Sequence, residues 1–168
     1  MFPSSRCWTI REILMELQRN LKIDSISRLE PTPPRLIESD RPVSAAVDQM
    51  REHRTGCLLV TRQGKLVGIF TERDLLNRVL ASRLPLNVPI MEVMTANPIT
   101  VDPKDSVRSA IKKMQQGEVR HLPVVNGDGR PLGVISAKRI VHYIAQHYPN
   151  TVYALPDPNA IPDTPEGA

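Results

Sequence analysis

The chain has 168 residues, of which 40% are hydrophobic, 24% charged and only 4% aromatic, and its net charge is +4. This length and composition predict one compact body, or two small domains packed together, around an aliphatic core. No apolar run approaches the roughly 18 residues of a membrane span, and Glu12 and Glu16 interrupt any secretory signal, so we expect a soluble cytoplasmic protein that is not bound to a membrane.

The charge is unevenly distributed along the chain. Residues 149–168 contain three acidic residues and no Lys or Arg, which leaves 22 basic and 15 acidic residues in the first 148. A basic surface suits an anionic ligand, a nucleic acid or an acidic partner, or it simply carries solvated charges. No aromatic stacking platform or helix-turn-helix pattern accompanies it, which argues against a nucleic-acid-binding protein.

Residues 1–25 are predicted to form an N-terminal helical segment. Apolar residues recur there at helical spacing: Ile10, Ile13, Leu14, Leu17 and Leu21. We expect this stripe to pack on the rest of the molecule. A helix lying on a membrane surface is the alternative, but such a helix would be more basic and bulkier.

Two units with the same pattern follow, over residues 26–84 and 85–148. Each is predicted to open with a strand, RLIES at 35–39 and NPITV at 97–101. A helical stripe then recurs with an offset of 64 residues: Val43, Ala46, Val47 and Met50 in the first unit, and Val107, Ala110, Ile111 and Met114 in the second. Repeats of this kind indicate that each unit buries its apolar surface against the other.

The second half of each unit also recurs, now with an offset of 65 residues. The apolar runs CLLV (57–60) and LPVV (122–125) precede glycine-containing turns and the strands LVGIF (66–70) and PLGVI (131–135). A last helical stripe is predicted in each unit: Leu75, Leu76, Val79 and Leu80, then Ile140, Val141, Ile144 and Ala145. The pattern predicts an α+β fold of two β-α-β-β-α units related by a pseudo-two-fold axis, with places for two ligands between them.

Each unit contains a related motif, GIFTERD at 68–74 and GVISAKR at 133–139. Thr71 and Asp74 have the spacing of a helix capping box, in which Thr71 is the N-cap. Ser136 is able to cap a helix in the same way, but Arg139 is not able to close the box. A base in the first turn of a helix also opposes the helix dipole. Capping therefore explains the first motif and leaves the second unexplained.

These units resemble a tandem pair of CBS domains, a Bateman module. The resemblance rests on GCLLVTRQGKLVGIFTERDLL at 56–76 and EVMTANPITVDPKDSVRSAIKKMQQGEVRHLPVVNGDGRPLGVISAKRIV at 92–141. It implies that Thr71 and Asp74 hold a ribose beside the backbone of Ile69, and that the adenine lies near Ile99. It further implies phosphate contacts from the second unit: Arg120, His121 and Lys138. Each of these bases also has a plain structural explanation, as a solvated charge or a half-buried strand residue.

The resemblance implies a regulatory module without catalytic activity. We expect one composite site for AMP, ADP, ATP or S-adenosylmethionine, no cofactor or metal, and a homodimer. Because no further domain follows, we expect the controlled target to be another protein or another copy of this chain. The equivalent site at Ser136 and Arg139, near Ile37, lacks the carboxylate and is expected to be empty or weak. The alternative is a ligand-free interaction or dimerisation module.

Two further expectations concern activity and the tail. No Ser–His–Asp set and no metal-ligand spacing occurs, so the chain is not expected to be an enzyme. Residues 149–168 contain five prolines and are predicted to be extended or disordered.

Overall fold

The computed structural model describes residues 10–149. The elements follow in this order: α1 (Ile10–Ile23), β1 (Leu36–Glu38), α2 (Val43–Glu52), β2 (Cys57–Arg62), β3 (Lys65–Thr71), α3 (Glu72–Asp74), β4 (Thr95–Ala96), α4 (Val107–Gly117), β5 (His121–Val125), β6 (Pro131–Ser136) and α5 (Ala137–His147). Helix α3 continues as a π-helical turn over Leu75–Leu80, and short 3₁₀ helices cover Ile26–Leu29 and Ile90–Glu92. Residues 150–168, which make up nearly all of the predicted proline-rich tail, lie outside the described residues.

The two units have matching sheets. The first sheet has the order β1-β2-β3-β4, in which β1 is parallel to β2 and the other pairs are antiparallel. In the second unit β5 and β6 form an antiparallel pair. A parallel bridge from Val101 to Val124 and an antiparallel bridge from Thr32 to Val134 extend this pair on its two sides. The strand order of the first sheet is therefore repeated, and the predicted α+β fold with pseudo-two-fold symmetry is confirmed.

The predicted opening strand at 97–101 is wrong over most of its length. Only Val101 pairs in the second unit, while Thr95–Ala96 forms β4 and joins the sheet of the first unit. Asn97 has a φ of 48°, a left-handed conformation that Asn tolerates, and this residue turns the chain between the two sheets. Thr32 likewise precedes the first unit but pairs with the second. Each sheet is thus completed by the segment that leads into the other unit.

Each unit has its own aliphatic core, and a smaller apolar cluster joins the two. The predicted stripes on α2 and α4 are confirmed, because these residues are buried: Val43, Ala46 and Met50, then Val107, Ala110 and Met114. The joining cluster contains Cys57, Leu59 and Ile69 from the first sheet and Val134 from the second. Strands β2, β3 and β6 therefore face one another across the middle of the molecule.

The predicted stripes of the last helices are only partly correct. After α3, Val79 is fully buried, but Leu76 and Leu80 remain 57% and 53% exposed. The π-helical hydrogen-bond pattern has more residues per turn than an α-helix, so apolar residues at α-helical spacing do not share one face there. On α5, Ile140 and Tyr143 are buried, whereas Val141 is 66% exposed.

Helix α1 packs on the second unit. Leu17 and Leu21 contact its core, as predicted for a helix docked on the body. Just beyond α1, the buried Asp24 accepts hydrogen bonds of 2.8 Å from the hydroxyls of both Tyr143 and Tyr148, and it pairs with Arg28. This carboxylate therefore fixes the end of the first helix to the end of the last.

Within residues 10–149, no helix has both the length and the apolar character that crossing a membrane requires.

Candidate functional site

The junction of β3 and α3 forms the capping box that the sequence predicts. Thr71 is extended, with φ −126° and ψ 167°, and its hydroxyl oxygen accepts a hydrogen bond from the backbone N–H of Asp74 at 3.4 Å. In return, Oδ2 of Asp74 accepts from the backbone N–H of Thr71 at 2.9 Å and from its hydroxyl at 2.7 Å. The capping interaction places the carboxylate at the start of the helix and 7% exposed.

The other oxygen of Asp74 is held by two residues that the sequence analysis did not single out. The Thr95 hydroxyl donates to Oδ1 at 3.0 Å, and Nη1 of Arg78 lies 3.5 Å from the same atom. Arg78 also donates to the backbone carbonyls of Val93 and Met94. Because Arg78 is at i+4 from Asp74 on a helix, its pairing was readable from the sequence. Thr95 gave no such signal, because its position depends on the pairing of β4.

A cleft of about 400 Å³ opens beside this carboxylate, within the usual size range of small-molecule sites. Residues from both units line it. Five of the predicted site residues are among them: Ile69, Thr71, Asp74, Arg120 and His121. The structure therefore brings the hydroxyl and carboxylate of the first unit together with the two bases of the second.

The other two predicted site residues do not line the cleft. Ile99 is 41% exposed and packs against Gly117, in the loop that Asn97 turns away from the first sheet. Lys138 is exposed on the first turn of α5. It follows Ala137, whose backbone N–H donates to the carbonyl of Arg120 at 2.9 Å. Lys138 is therefore close in the fold to the bases of the cleft without lining it.

Strand β5 positions the two bases of the second unit. His121 is the first residue of β5 and pairs with Ser136 of β6, at the point where β6 leads into α5. Desolvation and the adjacent Arg120 charge lower the pKa of His121, and Glu72 across the cleft raises it by a smaller amount. The net effect is a pKa below the ordinary value, so His121 is mainly neutral at pH 7 and Arg120 is the permanent charge of the pair.

The corresponding position in the second unit has a different set of contacts. Ser136 caps α5 by accepting from the backbone N–H of Arg139 at 3.1 Å. The Arg139 guanidinium reaches back to the carbonyls of Leu29 at 2.7 Å and Glu30 at 3.1 Å. Nη2 also pairs with the Glu30 carboxylate at 3.1 Å. Arg139 therefore ties down the segment that leads into the first unit.

This contact explains why an acid and a base stand at equivalent positions. Leu29 and Glu30 precede Val93 and Met94 by 64 residues, and in the first unit the carbonyls of Val93 and Met94 are bound by Arg78. Arg139 thus makes, from the position of the acid, the backbone contacts that Arg78 makes four residues further along its own helix.

In the part of the chain that the structure describes, no three His, Cys, Asp or Glu side chains are grouped so that they could hold a metal ion.

Comparison with known families agrees with this architecture. The family model described as CBS domain matches residues 23–81 and 90–146, one copy on each unit. The chain belongs to the CBS domain family, as a tandem pair.

Curated relatives and solved structures contain the same pair. CBS domain-containing protein CBSCBSPB5 of Arabidopsis thaliana is 32% identical over 143 residues, which cover 83% of this chain and 25% of the relative. CBSCBSPB3 of the same plant is 30% identical over 123 residues, or 73% and 22%. The chain therefore spans about a quarter of the length of these curated relatives.

Two solved structures that resemble the chain contain adenosine compounds. CBS domain protein PAE2072 from Pyrobaculum aerophilum, complexed with AMP, is 30% identical with a TM-score of 0.65, and the match covers 73% of this chain and 98% of that one. The CBS domain pair of protein MJ0100, in complex with 5′-methylthioadenosine and S-adenosyl-L-methionine, is 26% identical with a TM-score of 0.67, covering 74% and 98%.

Proposed function

We propose that this chain is a regulatory module that binds an adenosine compound, AMP, ADP, ATP or S-adenosylmethionine, at one site between its two CBS domains and controls a partner protein in trans. One observation carries the proposal. A buried carboxylate and a hydroxyl from the first domain share a cleft with Arg120 and His121 from the second. The AMP and S-adenosyl-L-methionine complexes of the two similar structures support this class of ligand.

The chemistry of the cleft suits a nucleoside. The Asp74 carboxylate accepts hydrogen bonds, and two adjacent ribose hydroxyls donate them. Because Thr71 and Thr95 already orient this carboxylate, little freedom is lost when a ribose binds. Arg120 and His121 supply donors for a phosphate group. In this proposal Ile99 lies near the adenine and Lys138 reaches the phosphate from the first turn of α5.

Control of a partner requires that the ligand binds two states of the module unequally. Leu76 contributes to the wall of the cleft and is 57% exposed, and its equivalent Val141, 65 residues later, is 66% exposed. Exposed apolar residues at equivalent helix positions suit a symmetric homodimer. In this proposal the dimer surface is next to the ligand. Light scattering should show a dimer that Leu80→Arg dissociates into monomers.

A second candidate function is a ligand-free interaction module in a cytoplasmic assembly. The observation that favours it is the capping box itself. Both oxygens of Asp74 already have hydrogen-bond donors inside the chain, so the motif has a complete structural role without a ligand. The exposed apolar helix positions serve this candidate equally well.

Isothermal titration calorimetry with AMP separates the two candidates, and the chain offers a matched pair of variants. Thr71→Ala and Ser136→Ala each remove an N-cap hydroxyl at equivalent positions, so each should cost about 1 kcal/mol of stability. Only Thr71→Ala disturbs the proposed site, because Ser136 is absent from the cleft wall. Asp74→Asn should weaken AMP on the order of 10- to 100-fold, because it removes a charged acceptor.

The outcomes distinguish the candidates clearly. If AMP binds, and Thr71→Ala weakens it while Ser136→Ala does not, the nucleotide site is supported. If no adenosine compound binds at millimolar concentration, the ligand-free module is the better account. If both cap variants weaken AMP equally, the motif acts through stability alone.

A further inference from the structure

Glu72 has a fixed position on the wall of the cleft. It is the first residue of α3, and its backbone N–H donates to the carbonyl of Gly56 at 3.2 Å. Its carboxylate lies over Gly56, since a β-carbon at residue 56 would be 3.3 Å from Cδ and 3.4–3.5 Å from the two oxygens. The side chain is therefore turned back toward the start of β2, where the bases of the second domain also face the cleft.

This carboxylate has no nearby counter-charge within residues 10–149. The four ion pairs found there involve Asp24, Asp74, Asp105 and Glu30, and none involves Glu72. Its charge nevertheless acts on the cleft, because it opposes part of the lowering of the His121 pKa. A negative charge without an ion-pair partner thus lies beside the residues proposed to bind phosphate.

The charges that line the cleft nearly cancel. Glu72 and Asp74 oppose Arg73 and Arg120, and His121 is mainly neutral at pH 7. Arg78 is engaged with Asp74 and with two backbone carbonyls. A phosphate monoester carries about −1.5 to −2 charges at pH 7, and each further phosphate group adds about one more. The lining residues therefore balance a single phosphate poorly and a triphosphate worse.

We propose, on the basis of the nucleotide site described above, that Glu72 determines which adenosine compounds the cleft accepts. It selects ligands that carry one phosphate or none, including a cationic sulfonium compound, and it disfavours ADP and ATP. The physical reason is Coulomb repulsion. Each extra ligand charge at about 6 Å in a water-like dielectric changes the affinity roughly threefold.

The test compares adenosine, AMP and ATP by calorimetry in magnesium-free buffer, with the wild-type chain and with Glu72→Gln. The wild type should bind AMP about tenfold more tightly than ATP, because the two differ by about two charges. Glu72→Gln should reduce this AMP-to-ATP preference by three- to tenfold, and should change adenosine affinity less than twofold. Glu118→Gln is the matched control: it removes an exposed carboxylate two residues before Arg120, outside the cleft wall, and should leave the preference unchanged.

The result separates this proposal from the proposed function. If AMP binds but Glu72→Gln leaves the preference unchanged, or Glu118→Gln changes it as much, the role of Glu72 is overturned and the nucleotide site stands. Tight ATP binding to the wild type also overturns it. If neither adenosine nor AMP binds at millimolar concentration, both proposals fail.

Discussion

The two CBS domains use one backbone frame with different side chains, and the contrast is sharpest where β3 and β6 lead into their helices. Thr71 and Ser136 cap in the same way. Asp74 is then held by Thr95 and Arg78, whereas Arg139 itself binds the carbonyls of Leu29 and Glu30.

The difference teaches that two roles are separable at this position. In both domains a guanidinium restrains the segment that leads into the other domain. In the first domain that guanidinium comes from Arg78, which leaves Asp74 to supply a carboxylate. In the second domain the guanidinium occupies the position of the acid, so the restraint is kept and the carboxylate is lost.

The largest expected effect concerns the residue that stands where the first domain has Arg78. That residue is Tyr143, which donates to Asp24, and Asp24→Asn should lower the free energy of unfolding by about 2–3 kcal/mol, because a buried charged acceptor of several hydrogen bonds is lost. Urea denaturation at pH 7 measures this loss. Asp40→Asn, in an exposed turn, should change stability by less than about 0.5 kcal/mol.

The same pair of variants gives a pH test. Burial raises the pKa of Asp24, but the hydrogen bonds from Tyr148 and Tyr143 and the Arg28 charge outweigh it, so the pKa lies below its ordinary value. The stabilisation is therefore complete above the unfolded pKa of about 3.9 and disappears as the pH falls toward the folded pKa. The difference between wild type and Asp24→Asn should shrink below pH 4. A difference that grows there would contradict the assignment.

The next largest effect compares equivalent glycines. A β-carbon on Gly133 would lie 2.7 Å from Cβ of Pro31 and 3.1 Å from the carbonyl oxygen of Thr32, which are rigid groups. A β-carbon on Gly68 would instead meet the flexible side chain of Met94. Gly133→Ala should therefore cost about 1–3 kcal/mol and Gly68→Ala less. Thermal denaturation ranks them, and the reverse order would mean that the segment around Pro31 moves more easily than Met94.

The smallest expected effect concerns the two arginines. Arg78→Met and Arg139→Met each leave two backbone carbonyls without their donor, and each should cost about 1 kcal/mol. Only Arg78→Met also removes a partner of Asp74, so AMP affinity should change for that variant and stay within about twofold for Arg139→Met. Calorimetry on both variants decides, and equal losses of AMP affinity would show that the two segments, not Asp74, govern binding.

Much of the fold and part of the site are readable from local patterns. The repeat, the stripes on α2 and α4, and the caps at Thr71 and Ser136 depend on residues three or four apart, and the structure confirms them. The resemblance to CBS pairs added Arg120 and His121, which do face the cleft. Where the pattern was wrong, as in the stripe after α3, a π-helical turn changed the spacing on which the prediction relied.

Spacing along the chain thus established two CBS domains and a hydroxyl–carboxylate pair in the first of them. Folding determined the partners of that pair. Thr95 reaches Asp74 across 21 residues, and Arg139 reaches Leu29 across 110. Contacts of this kind arise because each sheet is completed by the segment that leads into the other domain. Only the assembled chain therefore shows why one motif carries an acid and the other a base.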